Sequence, residues 1–138
     1  MLTTSSTASG NRTAPSVLVV DDEPVIREFV CEILEGEGMT AVPMDNADSA
    51  AAYLGEHVED IDVLITDIRM PGSMDGAQLA NLVAERYPQI PIIVMSGYET
   101  PATASIRYKV RFLPKPWSIG QLLDSVSGVA YSAVPSSS

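Results

Sequence analysis

Short apolar runs, the longest of about seven residues, alternate along this chain with stretches of helical spacing, and this alternation limits the fold more than any other feature. Val17 to Val20, Val63 to Ile65, Ile90 to Met95 and Val110 to Leu113 each read as a strand buried on both faces, because no polar alternation interrupts them. A weaker run spans Thr40 to Met44. Between the runs, Val25/Ile26, Phe29/Val30 and Ile33/Leu34 form one helical stripe, Ala47, Ala50, Ala51 and Leu54 a second, and Leu79, Leu82 and Val83 a third. Ser118 and Gln121 have capping-box spacing ahead of Leu122, Leu123 and Val126, while Pro24 and Pro101 stand where a first helical turn would begin. The order is β-α repeated five times, and short links between alternating elements imply right-handed crossovers. The expected fold is therefore α/β, a doubly wound five-stranded parallel sheet with helices on both faces.

Residues 1–14 and 132–138 are small, polar and aperiodic, as frayed tails are, which leaves one domain over 15–131. The Ser/Thr-rich ends and an initiator-like Met1 lead to the expectation of a stand-alone domain. A net charge of −10 argues against nucleic acid and anionic lipid as partners and favours a basic patch on another protein. The single cysteine, Cys31, cannot form an internal disulfide, and no apolar run approaches the roughly 20 residues of a membrane span. A cytoplasmic protein without signal peptide or anchor is expected.

In an open parallel sheet, ligands bind just beyond the carboxyl ends of the strands. Asp21-Asp22-Glu23 follows the first run, Thr66-Asp67 ends the third strand, Ser96-Gly97 the fourth and Pro114-Lys115-Pro116 the fifth. Carboxylates, a hydroxyl and an ammonium group thus converge on one edge. Asp21, Asp22 and Asp67, brought within about 4 Å, would repel by roughly 4 kcal/mol per pair at an effective dielectric near 20. Protonation, the Lys115 ammonium or a divalent cation would relieve that repulsion. Oxygen donors around a shallow open site suit Mg²⁺, with Mn²⁺ as the alternative, and the chemistry such a site suits is phosphoryl transfer to Asp67. Ser96 and Lys115 are then placed to meet the negative oxygens of the transferred group.

The segments VLVVDDEP (17–24), LITDIRMPGSMDG (64–76), IIVMSG (92–97) and FLPKP (112–116), in this order and at strand ends, resemble response-regulator receiver domains of the chemotaxis-protein type. The likeness covers about residues 16–131. It implies a flavodoxin-like strand order 2-1-3-4-5, Asp67 as phosphoacceptor, Asp22 as a direct Mg²⁺ ligand and Asp21 acting through the metal's water shell. The main-chain carbonyl of Arg69 would complete the protein ligands. Lys115, ahead of a cis peptide to Pro116, would pair with the phosphoryl group, Ser96 would be the switch hydroxyl and Phe112 the aromatic switch. The implied function is that of a two-component response regulator. It would take a phosphoryl group from a sensor histidine kinase or histidine phosphotransfer protein, catalyse only its own phosphorylation and dephosphorylation, and change which protein it binds.

Gly72-Ser73 makes the loop after Asp67 one residue longer than the commonest family spacing, which predicts a reshaped loop. Arg69 and Tyr98 are bulky at positions that the resemblance ties to phosphoryl lifetime, and the stretch from Gly97 to Val110 is short and polar for a firm fourth helix. Simpler roles compete for several residues. Asp21-Asp22-Glu23 could only complement a helix dipole, Phe112 could be plain core, and Cys31 reads as packing. His57 reads as a solvated surface residue, and Trp117 and Tyr98 as candidate partner anchors. Two rival functions stand beside the first: an aspartyl-phosphate metal-dependent phosphatase, and an interaction module that is never phosphorylated. The first lacks an acid-base aspartate, since Arg69 stands two residues after Asp67, and the second is opposed by the complete set of site residues.

Overall fold

The computed structural model describes residues 15–70, 72–97 and 106–132. Five strands, β1 (Ser16–Val20), β2 (Thr40–Met44), β3 (Val63–Asp67), β4 (Ile92–Ser96) and β5 (Arg111–Pro114), form one sheet in the order β2-β1-β3-β4-β5. All neighbours pair in parallel. Four helices lie among the described residues: α1 (Pro24–Gly36), α2 (Ala47–His57), α3 (Gly76–Arg86) and α4 (Ile119–Ser132), with a 3₁₀ turn at Val58–Asp60 after α2. None is long and apolar enough to cross a membrane.

Consecutive strand residues point to opposite faces, so a strand without polar alternation must be covered on both. Leu18, Val20, Leu64, Ile92 and Val94 pack with Ala50, Leu54, Leu79 and Val83 of α2 and α3. On the opposite face, Val17, Val19, Val63, Ile65 and Ile93 pack with Val30, Leu34, Leu122 and Val126 of α1 and α4. Each such fully buried Leu, Ile or Val contributes roughly 1.5–3 kcal/mol. The sheet is thereby held between two helical layers, with its carboxyl edge open for a site.

The helix starts are built locally. Pro24 occupies the first turn of α1, and Asn46 Oδ1 caps α2 by accepting from the Ser49 N–H at 2.7 Å. Ser118 and Gln121 form the expected capping box of α4: the Gln121 N–H donates to Ser118 Oγ (3.1 Å) and the Ser118 N–H to Gln121 Oε1 (2.8 Å). Asp75 and Gln78 form a second box at α3. The expected strand at Ile90 begins two residues later, because Pro91 has no N–H for the ladder and stands just before Ile92. Residues 106–110 are not helical. Tyr98, Pro101 and the rest of 98–105 lie outside the described residues, as does Pro71.

Candidate functional site

The carboxyl ends of β1 and β3 are adjacent in the sheet, which brings Asp21, Asp22 and Asp67 together. One carboxylate oxygen from each lies within 4.8 Å of the others. At that spacing like charges repel by roughly 3–4 kcal/mol per pair in an effective dielectric near 20. Asp21 and Asp22, neighbours in sequence, have different surroundings: Asp21 is fully buried and Asp22 partly exposed. Asp21 Oδ1 accepts from the Glu23 N–H at 2.9 Å, whereas Asp21 Oδ2 has no hydrogen-bond partner. Burial, with the nearby charge of Asp67, pushes the Asp21 carboxyl up to about 6 against the opposing Glu23 hydrogen bond. Arg27, one turn into α1, braces this corner by donating to the Asp21 carbonyl at 2.7 Å.

Asp67 ends β3 with little exposure. Its Oδ1 accepts from the Ile68 N–H (2.9 Å) and from Lys115 Nζ (3.2 Å), which β5 delivers from across the sheet. The Lys115–Pro116 peptide is cis, as the resemblance implied. The Lys115 N–H donates to the Ser96 carbonyl at 2.6 Å, tying the lysine to the end of β4. Ser96 itself is buried, and Phe112, one strand over and paired with Val94, is half-buried against the α2/α3 side. Arg69 is exposed in the loop that leaves Asp67. Of the expected site residues, the fold thus gathers Asp21, Asp22, Asp67 and Lys115 in direct proximity and sets Ser96 beside Lys115.

Several supporting residues gave no sequence signal of their role. Thr66 Oγ1 donates to the Asp67 carbonyl at 2.9 Å. At Gly76 a Cβ would overlap that same carbonyl, while the Gly76 N–H donates to the Ile68 carbonyl at 2.7 Å; only glycine permits α3 to start this close to the acceptor. The described part of the longer loop is held by a positive-φ glycine and a contact to α2. Gly72 adopts φ +119°, and Ser73 Oγ reaches Asp48 Oδ1 of α2 at 2.6 Å. Trp117 stacks on Phe29 of α1 with centroids 6.1 Å apart, beside the lysine turn. Cys31 and His57 stay apart from the site. Cys31 packs on the α1 side with its thiol pushed up by burial, and His57 stacks on Tyr53 at the surface.

The donor set fits a hard divalent cation: three carboxylates, one with a buried oxygen lacking any partner, need positive charge that Lys115 alone does not balance. The response regulator receiver domain model matches residues 17–127, and the chain belongs to that family. It is a receiver domain of the two-component response-regulator type. Response regulator protein FleR of Pseudomonas aeruginosa is 34% identical over 127 residues, spanning 90% of this chain and 26% of that protein. The DNA-binding transcriptional regulator NtrC of Salmonella typhimurium is 36% identical over 108 residues, 76% of this chain and 22% of that protein. The chain thus spans about a quarter of the length of these curated relatives. Among solved structures, a response regulator receiver protein from Sinorhizobium medicae superposes with a TM-score of 0.79 at 28% identity, covering 88% of this chain and 98% of that one. NtrX from Brucella abortus in complex with ADP gives 0.78 at 29% identity, covering 88% of this chain and 28% of that one.

Proposed function

We propose that this domain accepts a phosphoryl group on Asp67 from a sensor histidine kinase or histidine phosphotransfer protein, in a Mg²⁺-dependent reaction, and thereby changes its protein partner. Its own phosphorylation and dephosphorylation are the only reactions it catalyses in this reading. The observation that carries it is the pairing of Asp67 Oδ1 with Lys115 Nζ at 3.2 Å beside two further carboxylates, one with an unpartnered buried oxygen. Asp21, Asp22 and Asp67 would hold the cation, with the Arg69 carbonyl as a further donor. Mg²⁺, when bound, supplies positive charge against the acceptor carboxylate and the phosphoryl oxygens.

An Asp67 carboxylate oxygen forms the new O–P bond as the N–P bond of phosphohistidine breaks, and the electron pair of that bond stays on the imidazole nitrogen. Lys115 passes from the Asp67 carboxylate to a phosphoryl oxygen, keeping a charge-assisted hydrogen bond throughout. The Ile68 N–H holds the carboxylate in line meanwhile. Ser96 then donates its hydroxyl to the group, and Phe112 follows into the space released, which reshapes the surface around β5. One hydrogen bond to a charged oxygen, worth roughly 1.5–3 kcal/mol, shifts a two-state population about tenfold or more. Arg69, and not a carboxylate, stands two residues past Asp67, which supports a single acceptor over a turning-over phosphatase.

The test is intact mass after incubation with acetyl phosphate and Mg²⁺. Wild type gains one phosphoryl mass, EDTA abolishes the gain, and Asp67→Asn shows none; a full gain in Asp67→Asn ends the reading.

A further inference from the structure

Charge is segregated along this chain. Sixteen of its 18 acidic residues lie between positions 15 and 85, against two of its eight basic ones, whereas Arg86, Arg107, Lys109, Arg111 and Lys115 all follow. Lys115 belongs to the site already described. Lys109 and Arg111 stand at the opposite edge of the sheet, where β5 begins. There they rim a hollow of about 320 Å³ lined also by Pro91, Ile92, Val110 and Val129. A second hollow of about 250 Å³ shares Pro91, Ile92 and Lys109 and reaches to Tyr108.

Together the hollows make a track across the feet of β4 and β5, apolar along its floor and cationic at its rim. Among the described residues neither Lys109 nor Arg111 makes an ion pair. The Arg111 guanidinium lies over α4 at Gly128, where an added Cβ would come within 3.3 Å of Nη1. Arg107 rests 5.6 Å from the centre of the Tyr108 ring, and Tyr108 lines the second hollow together with Lys109. In a chain of net charge −10, cations left unpaired over apolar surface select an anionic partner with apolar groups. Two joined, shallow hollows suit an extended chain better than one compact molecule.

We infer that this track docks an extended acidic peptide segment of a partner protein, its apolar side chains in the two hollows and its carboxylates beside Lys109 and Arg111. Ile92 and Ser96 are the two ends of β4, so the track lies roughly 13 Å from the phosphoacceptor edge at about 3.3 Å per residue. Docking therefore leaves Asp67 accessible, and the inference stands independently of the phosphotransfer reading.

The probe is acetyl-Glu-Glu-Leu-Glu-Leu-Glu-Glu-amide, whose two leucines share one face of an extended chain, titrated into ¹⁵N-labelled protein. Saturable amide shifts should appear at Ile92, Tyr108, Lys109, Val110, Arg111 and Val129. Lys109→Glu combined with Arg111→Glu, both exposed positions, should weaken binding by about tenfold or more while leaving acetyl phosphate labelling unchanged. Replacing the probe's leucines by serine should weaken it similarly. Shifts confined to other residues, equal binding of the lysine analogue, no effect of charge reversal, or equal affinity for octanoate, which would make the track a small-molecule site, would each overturn the inference.

Discussion

Asp21→Asn should make the metal-free domain more stable at neutral pH while removing a cation donor. Asp21 is fully buried and its carboxyl sits at about 6, against 3.8 when unperturbed. Between those values the folded state holds a proton that the unfolded chain has lost, so stability falls as pH rises through that window and stays lowered above it. The rise of about two pH units corresponds to roughly 3 kcal/mol at pH 7.5, and to about 0.5 kcal/mol at pH 4. Asparagine keeps the Oδ1 acceptor for the Glu23 N–H and replaces the unpartnered Oδ2 with an uncharged amide group, which removes one negative charge from the cluster with Asp22 and Asp67. The variant should therefore gain up to about 3 kcal/mol at pH 7.5 in EDTA, a rise in Tm on the order of 10 °C. At pH 4 the gain should nearly vanish. Urea unfolding followed by far-UV circular dichroism at both pH values measures it. Equal or lower stability of the variant at pH 7.5, or a gain undiminished at pH 4, would refute the account of a strained buried carboxylate.

The remaining expectations concern neighbouring parts of the same corner. Gly76→Ala places a Cβ against the Asp67 carbonyl, where backbone must move; it should cost about 3 kcal/mol or more in urea unfolding and slow acetyl phosphate labelling, and wild-type values would disprove the close approach. Asp22→Ala should weaken Mg²⁺ binding more than Asp21→Ala, read from Trp117 fluorescence beside the lysine turn, and equal weakening counts against Asp22 as the direct ligand. Ser118→Ala removes the α4 cap and should cost about 1 kcal/mol in thermal unfolding without altering phosphorylation.

Much of this architecture is legible in the chain because it rests on local rules. Val17 to Val20 reads as a two-faced strand since no polar residue interrupts it, and the Ser118/Gln121 spacing sets the start of α4. Strand ends carrying Asp67, Ser96 and Lys115 foretold a site at the carboxyl edge, because parallel strands all finish there. Other features depend on contacts between segments far apart in sequence. Ser73 meets Asp48 across 25 positions, Trp117 stacks on Phe29 from a different element, and Gly76 abuts Asp67 only because α3 enters at that angle. The clearest case is Asp21 and Asp22, two identical residues side by side. Sequence marks both as acidic, but only the packing of α1 and the neighbouring strand ends buries one and leaves the other partly in water. Burial penalises charge in proportion to the water removed, which is a property of the assembled fold and not of the residue.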